Sequence, residues 1–138
     1  MTFTFGKAHE HLQGEELTII ACGMAVHGAL EAARVMNAKG RSIGVIDMAS
    51  IKPLDRESIL SAAVRSKKLM TVEEHNVVGG LGAAVAEVLA DEGAGVKLKR
   101  HGIYDECSLI APPSHLYAHY KLDSEGIRSV AEQFLTEN

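Results

Sequence analysis

Short, nearly unbroken apolar runs alternate along this chain with stretches whose apolar residues recur at helical spacing. Leu17-Thr18-Ile19-Ile20-Ala21-Cys22 is one such run, stopped by Gly23. A run this short and this continuous predicts a strand buried on both faces. From about Met24 to Lys39, the residues Val26, Ala29, Leu30, Ala33 and Met36 share one helical face. Gly40 follows, and glycine readily takes the left-handed conformation that ends a helix.

The pattern then repeats. Ser42 to Asp47 reads as a strand, and Met48 to Leu54 as a loop. A helix follows, capped by Asp55, whose carboxylate can accept the free amides of the first turn. Its apolar stripe is Ile59, Leu60, Ala63 and Val64. Lys68 to Glu73 is the next strand, and a helix from about Gly80 to Glu92 buries Leu81, Ala84, Val85, Val88 and Leu89. Val96 to His101 is a further strand. Pro112-Pro113 interrupts an irregular stretch before a short helix at Ser114 to Tyr120. The last helix, capped by Asp123 or Ser124, carries Ile127, Val130, Ala131, Phe134 and Leu135 on one face. Lys7 to Leu12 can supply one more strand, and residues 1–5 read as a tail or the stub of an interdomain connection. The alternation predicts an α/β fold: a mostly parallel sheet covered by helices on both faces, in one domain spanning residues 1–138.

Composition narrows the function classes. Aromatic residues are only 4% of the chain and Trp is absent, so Ala, Val, Ile, Leu and Met must build the core. A net charge of -4 speaks against a nucleic-acid groove, which needs clustered Lys and Arg. The one basic run, Lys97-Leu98-Lys99-Arg100, alternates like a strand and reads as a solvated or edge face rather than a phosphate site. Cys22 and Cys107 match no metal or redox spacing and read as free thiols. No apolar run reaches the roughly 18 residues of a membrane span, and a cytoplasmic protein is the expectation.

Chemistry-bearing residues gather between Val72 and Glu87. Glu73, Glu74 and His75 follow a strand, and Gly79-Gly80-Leu81-Gly82 opens the next helix. In open α/β sheets, ligands sit beyond the carboxyl ends of strands. On an extended segment Glu73 and His75 share a side and Glu74 takes the other, which favours a hydrogen-bonded or interface role. The glycines allow either an anion at the helix N-terminus or a tight turn packed close to the sheet. His27 can face a ligand at the first strand end, but reads better as an exposed or packed side chain. His115 with His119, and His9 with His11, each offer two metal ligands with no third at a familiar spacing. No complete catalytic set emerges, and no catalytic, cofactor-binding or metal-ligating residue is assigned.

The motifs taken in order resemble a known family. Phe5-Gly6-Lys7-Ala8, Leu17 to Gly23, Val26-His27 with Ala29 to Ala33, Val45-Ile46-Asp47, Ile51-Lys52-Pro53-Leu54-Asp55, Thr71 to Glu87, and Leu122-Asp123 with Gly126-Ile127 are similar to the C-terminal domain of transketolase and its relatives. Those relatives are 1-deoxy-xylulose-5-phosphate synthase and the β subunits of 2-oxo-acid dehydrogenases. The resemblance implies a three-layer α/β/α sandwich with a five-stranded mixed sheet whose first strand is antiparallel. It also implies a structural or assembly role within a thiamine-diphosphate-dependent enzyme of ketol transfer between sugar phosphates. In that family, thiamine diphosphate and its magnesium sit on two other domains, so no cofactor is expected on this chain alone. The implied partners are the pyrimidine- and diphosphate-binding domains or subunit, in a dimeric assembly without nucleic acid or membrane. Glu74, His75, Gly79, Gly80 and Gly82 are the candidates for the facing surface. The alternative is a stand-alone α/β module holding a small molecule or anion near Gly23, Lys52, His75 and Gly79. Two departures stand out: Cys22 replaces a familiar Thr or Ser, and Cys107 to Ser114 lacks the Phe-Gly-x-Ser-Gly type of sequence.

Overall fold

The computed structural model describes residues 2–138. The chain runs β1 (His9–Leu12), β2 (Leu17–Ala21), α1 (Ala25–Ala38), β3 (Ile43–Asp47), α2 (Arg56–Arg65), β4 (Lys68–Asn76), α3 (Leu81–Asp91), β5 (Lys97–Ile103), α4 (Pro113–His119) and α5 (Ser124–Thr136). The sheet order is β1-β3-β2-β4-β5. β1 pairs antiparallel with β3, and every other pairing is parallel. Residues 2–5 form no helix or strand, and Met1 lies outside the described residues.

Period two along the strands divides the core into two layers. Leu17, Ile19, Ala21, Ile43, Val45, Met70 and Val72 pack against α1 and α5. Ile20, Ile46 and Leu69 pack on the other face against α2 and α3. β2 is central, and all five of its residues are buried, as its continuous apolar run requires. The small residues Ala25, Ala29, Ala32 and Ala33 line the buried face of α1 and bring it close to the sheet. Phe134 on α5 is the largest fully buried side chain.

The caps form as their chemistry dictates. Asp55 accepts the Ser58 amide at the start of α2, and Asp123 accepts the Gly126 amide at the start of α5. Gly40 has φ +85 beyond α1.

Several elements differ from the expectation. β4 continues to Asn76, three residues past the predicted end. Charged side chains there mimic a loop in the hydropathy pattern, yet the ladder to β5 persists to Asn76 opposite Ile103. On α2, Val64 is 90% exposed, while Ala62 is fully buried. A ten-residue helix packed on one side has room for a narrow stripe, and Ile59 with Ala62 forms it. Pro113 does not precede α4 but begins it. Proline suits the first turn because its missing N–H had no helical partner there.

Candidate functional site

β2, β3, β4 and β5 all end on one edge of the sheet, and antiparallel β1 begins there. Glu73 anchors this rim from within. It is 1% exposed, and its side chain points from β4 to the N-terminus of α3. Oε1 accepts the Leu81 amide at 2.8 Å and Oε2 accepts the Gly82 amide at 2.7 Å. The first turn of a helix carries unpaired N–H groups and a partial positive charge, so it attracts an anion. Here the chain supplies its own carboxylate.

The glycines make room for that carboxylate. A Cβ on Gly80 would stand 1.9 Å from Glu73 Oε1, and one on Gly82 would stand 2.7 Å from Thr71 Oγ1. Gly79 has φ +78, which turns the chain from β4 into α3. Sequence spacing pairs Glu73 with His75 on one side of the segment. The structure agrees: His75 Nδ1 lies 3.9 Å from Glu73 Oε1, though that nitrogen also meets the Asn76 carbonyl at 2.7 Å.

The sequence candidates separate into distinct surroundings. Lys52, Gly79 and Gly80 line one groove of about 520 Å³ between the Ile51–Leu54 turn and the first turns of α3. The Lys52–Pro53 peptide is cis, and Ser50 Oγ donates to the Pro53 carbonyl at 2.7 Å. Arg56, at the edge of that groove, pairs with Glu92 at 2.8 Å and Asp91 at 3.6 Å. Glu74 faces elsewhere, into a cavity of about 250 Å³ with Tyr117, Tyr120 and Leu116 of the α4 region. The Glu74 carboxylate is the chief influence raising the Tyr117 pKa above its ordinary value. His75 is exposed and Gly82 is buried.

Cys22, just beyond β2, is half-buried. Burial first, then the negative charges of Glu73 and Asp47, push its thiol up to about 11. A thiol so raised is a poor nucleophile at neutral pH. His27 is exposed and lies 3.3 Å from Glu31, one turn along α1. Among the described residues, no three His, Cys, Asp or Glu side chains converge as metal ligands, and no helix is long and apolar enough to cross a membrane.

Apart from Val35 on α1 and Val64 on α2, the exposed large apolar side chains among the described residues lie in segments that precede β1 or follow the other strands. Phe3 and Phe5 precede β1, Met24 follows β2, Ile51 follows β3, Val78 follows β4, and Tyr104, Leu109 and Ile110 follow β5. Ile110 is 105% exposed. The sequence reading missed this collection because its members are far apart in the chain. It also placed the charge cluster's weight on Glu74 and His75 rather than Glu73. The signal for Glu73 was its period-two register with Leu69 and Thr71, both buried.

Comparison with known proteins decides the family. The family model described as "Transketolase, C-terminal domain" matches residues 6–127. The chain belongs to the transketolase C-terminal domain family. It is 43% identical over 133 residues to an apulose-4-phosphate transketolase subunit of Phocaeicola vulgatus, covering 96% of this chain and 42% of that protein. It is 46% identical over 124 residues to 1-deoxy-D-xylulose-5-phosphate synthase 1 of Geobacter sulfurreducens, covering 89% of this chain and 20% of the synthase. A putative transketolase C-terminal section of Methanocaldococcus jannaschii is 42% identical over 137 residues, covering 99% of this chain and 41% of that protein. A solved structure described as "Split gene transketolase, inactive beta4 tetramer" superposes with a TM-score of 0.90 at 35% identity, covering 99% of this chain and 44% of that one. This transketolase C-terminal-type chain therefore spans less than half the length of each of these relatives. The resemblance seen in the sequence holds, and so does the five-stranded mixed sheet it implied.

Proposed function

We propose that this chain is the C-terminal domain or small subunit of a thiamine-diphosphate-dependent transketolase-like enzyme, acting in the cytoplasm on sugar phosphates. Its role is assembly, and it transfers no ketol unit alone. Residues 1–138 act as one unit, with residues 1–5 as its tail or connection. The observation that carries this reading is the match over 96% of this chain to a transketolase subunit of which it spans 42%.

The rim supports the reading. Exposed apolar side chains mark interaction sites when they gather, and Met24, Ile51 and Val78 each stand exposed within a few residues of a strand end. A stable association would bury over about 1,000 Å² in total. The partner is the pyrimidine- and diphosphate-binding domains or subunit, and the complete assembly is dimeric. His75, Gly79, Gly80 and Lys52 lie at or beside the rim and face that partner, Glu74 meets it from the side of the α4 cavity, and Gly82 supports the turn beneath.

The residues present do not fit thiamine diphosphate and magnesium. The α3 N-terminus, where a diphosphate would find free amides, is filled by Glu73. Both cofactors are assigned to the partner, and no catalytic step is routed through this chain.

Affinity capture from the source lysate tests the proposal, with tagged chain as bait and mass spectrometry as readout. Stoichiometric recovery of a larger thiamine-diphosphate-binding chain is expected. A soluble, monomeric bait that recovers no such chain would contradict it.

A further inference from the structure

The exposed edge of the sheet at β5 carries a polar cavity that meets the strand-end rim at Tyr104. Period two sends Lys97, Lys99 and His101 to the α5 side of β5 and Leu98 to the other, where it packs with α2 and α3. His101 is 3% exposed. Its Nε2 stands 2.7 Å from the Lys121 carbonyl oxygen. A carbonyl only accepts, so Nε2 carries the proton and donates, which leaves Nδ1 of the neutral ring as a bare acceptor. The nearest hydroxyl, that of Tyr104, lies 3.5 Å from Nδ1. That hydroxyl donates its one proton to the Arg100 carbonyl at 2.8 Å. The ring nitrogen thus has only this long contact, whose hydroxyl proton is already committed to Arg100, and buried polar groups ordinarily have a closer partner.

His101 and Tyr104 line a cavity of about 280 Å³ together with Lys99, Lys121, His119 and Gln133. Among the described residues, neither Lys99 nor Lys121 is ion-paired with a carboxylate. Glu106 also lines the cavity, from the exposed loop after β5, so two lysines face one carboxylate. Lys121 is held at φ +55, a left-handed conformation that costs a residue with a Cβ. That conformation delivers its carbonyl to His101. Burial holds the His101 pKa below its ordinary value; the bond to the Lys121 carbonyl works against this, and the charges of Lys99 and Lys121 add to it.

We propose that this cavity binds a small oxyanion of the phosphate class, with Lys99 and Lys121 supplying charge and His101 Nδ1 donating a directed hydrogen bond once protonated. An anion between the lysines removes the positive field that disfavours imidazolium. Binding and protonation of His101 are therefore linked, and each promotes the other. Two sources share this chemistry: free inorganic phosphate, and the phosphate of a small metabolite.

Histidine ring NMR of the full chain tests this directly. Inorganic phosphate and glycerol 3-phosphate are titrated separately at fixed ionic strength, with chloride as the control. A saturable shift of the His101 ring signal is expected, with an upward move of its apparent pKa. Lys99→Ala and Lys121→Asn should each weaken binding about tenfold, a change of about 1.4 kcal/mol. Asn is used at Lys121 because it tolerates the left-handed backbone. Tighter binding of glycerol 3-phosphate would identify a metabolite site, and equal binding a site for phosphate itself. A His101 signal that moves no more with either phosphate than with chloride would overturn the proposal in the unmodified chain. Folded lysine variants that bind like the parent would overturn it too.

Discussion

Glu73 and Gly80 fit together only because Gly80 has no side chain: a Cβ there would lie 1.9 Å from Glu73 Oε1. The close approach lets the Glu73 carboxylate reach two amides of α3 from the end of β4. Glu73→Ala would leave both amides without this partner and should cost about 3 kcal/mol. Gly80→Ala would displace the same carboxylate and should cost about 2 kcal/mol. The double variant should cost less than the sum, because both changes remove one shared cap. Denaturant unfolding of the four proteins measures this, and strictly additive costs would separate the two residues energetically.

Asp55 ties the start of the chain to α2. Its carboxylate accepts the Ala8 amide at 2.9 Å, the Ser58 amide at 3.2 Å and the Ser58 hydroxyl at 2.9 Å, with Lys7 at 3.8 Å. Burial pushes its pKa up, but these hydrogen bonds and Lys7 outweigh burial and hold it below the ordinary 3.8. A depressed carboxylate pKa stabilises the fold above the unfolded value, and that stability is lost as pH falls through the folded value. Asp55→Asn keeps a cap acceptor but loses the charge that strengthens these bonds, and should therefore cost about 1 kcal/mol at neutral pH. The difference from the parent should narrow once the pH drops below 3.8. Urea midpoints measured across pH 2 to 7 test this, and a gap that widens in acid would contradict it.

The two thiols should react unequally. Cys107 is exposed, whereas the Cys22 thiol is half-buried and raised to about 11. The thiolate is the nucleophile, so iodoacetamide at neutral pH should modify Cys107 first and Cys22 far more slowly. Peptide mass spectrometry of timed samples reads both rates. Faster labelling of Cys22 would contradict the environment assigned to it.

Val78 and Ile110, 66% and 105% exposed, are expected to matter for association and not for folding. Val78→Asp and Ile110→Asp should change unfolding free energy by no more than about 0.5 kcal/mol. Each should weaken capture of the partner about tenfold or more, as central interface residues do. Paired melting and binding measurements separate these effects. Unchanged binding in both variants would remove these residues from the interface.

The sequence pattern disclosed local order well and long-range meetings poorly. Leu17 to Ala21 declares its own burial, since a strand with no charged position and only Thr18 among polar ones belongs in the middle of a covered sheet. Asp55 and Gly40 declare helix ends through local chemistry. The end of β4 was hidden because exposed Glu74 and His75 read as a loop, although the ladder to β5 runs on to Asn76; the burial of Glu73 was hidden because its partners are amides eight and nine residues ahead. Val64 misled because its apolar character fits a helical stripe wider than α2 buries. The cavity at His101 needed Lys121 brought to β5 from the turn between α4 and α5, a meeting across 20 residues that no local spacing encodes.

On the proposed function, this chain completes an active enzyme without being one. Ketol transfer with thiamine diphosphate and magnesium should be assayed for this chain alone, for the larger chain it captures, and for the two combined. Activity restricted to the combined sample is the expected result. Turnover by this chain alone, or a larger chain equally active without it, would contradict the claim.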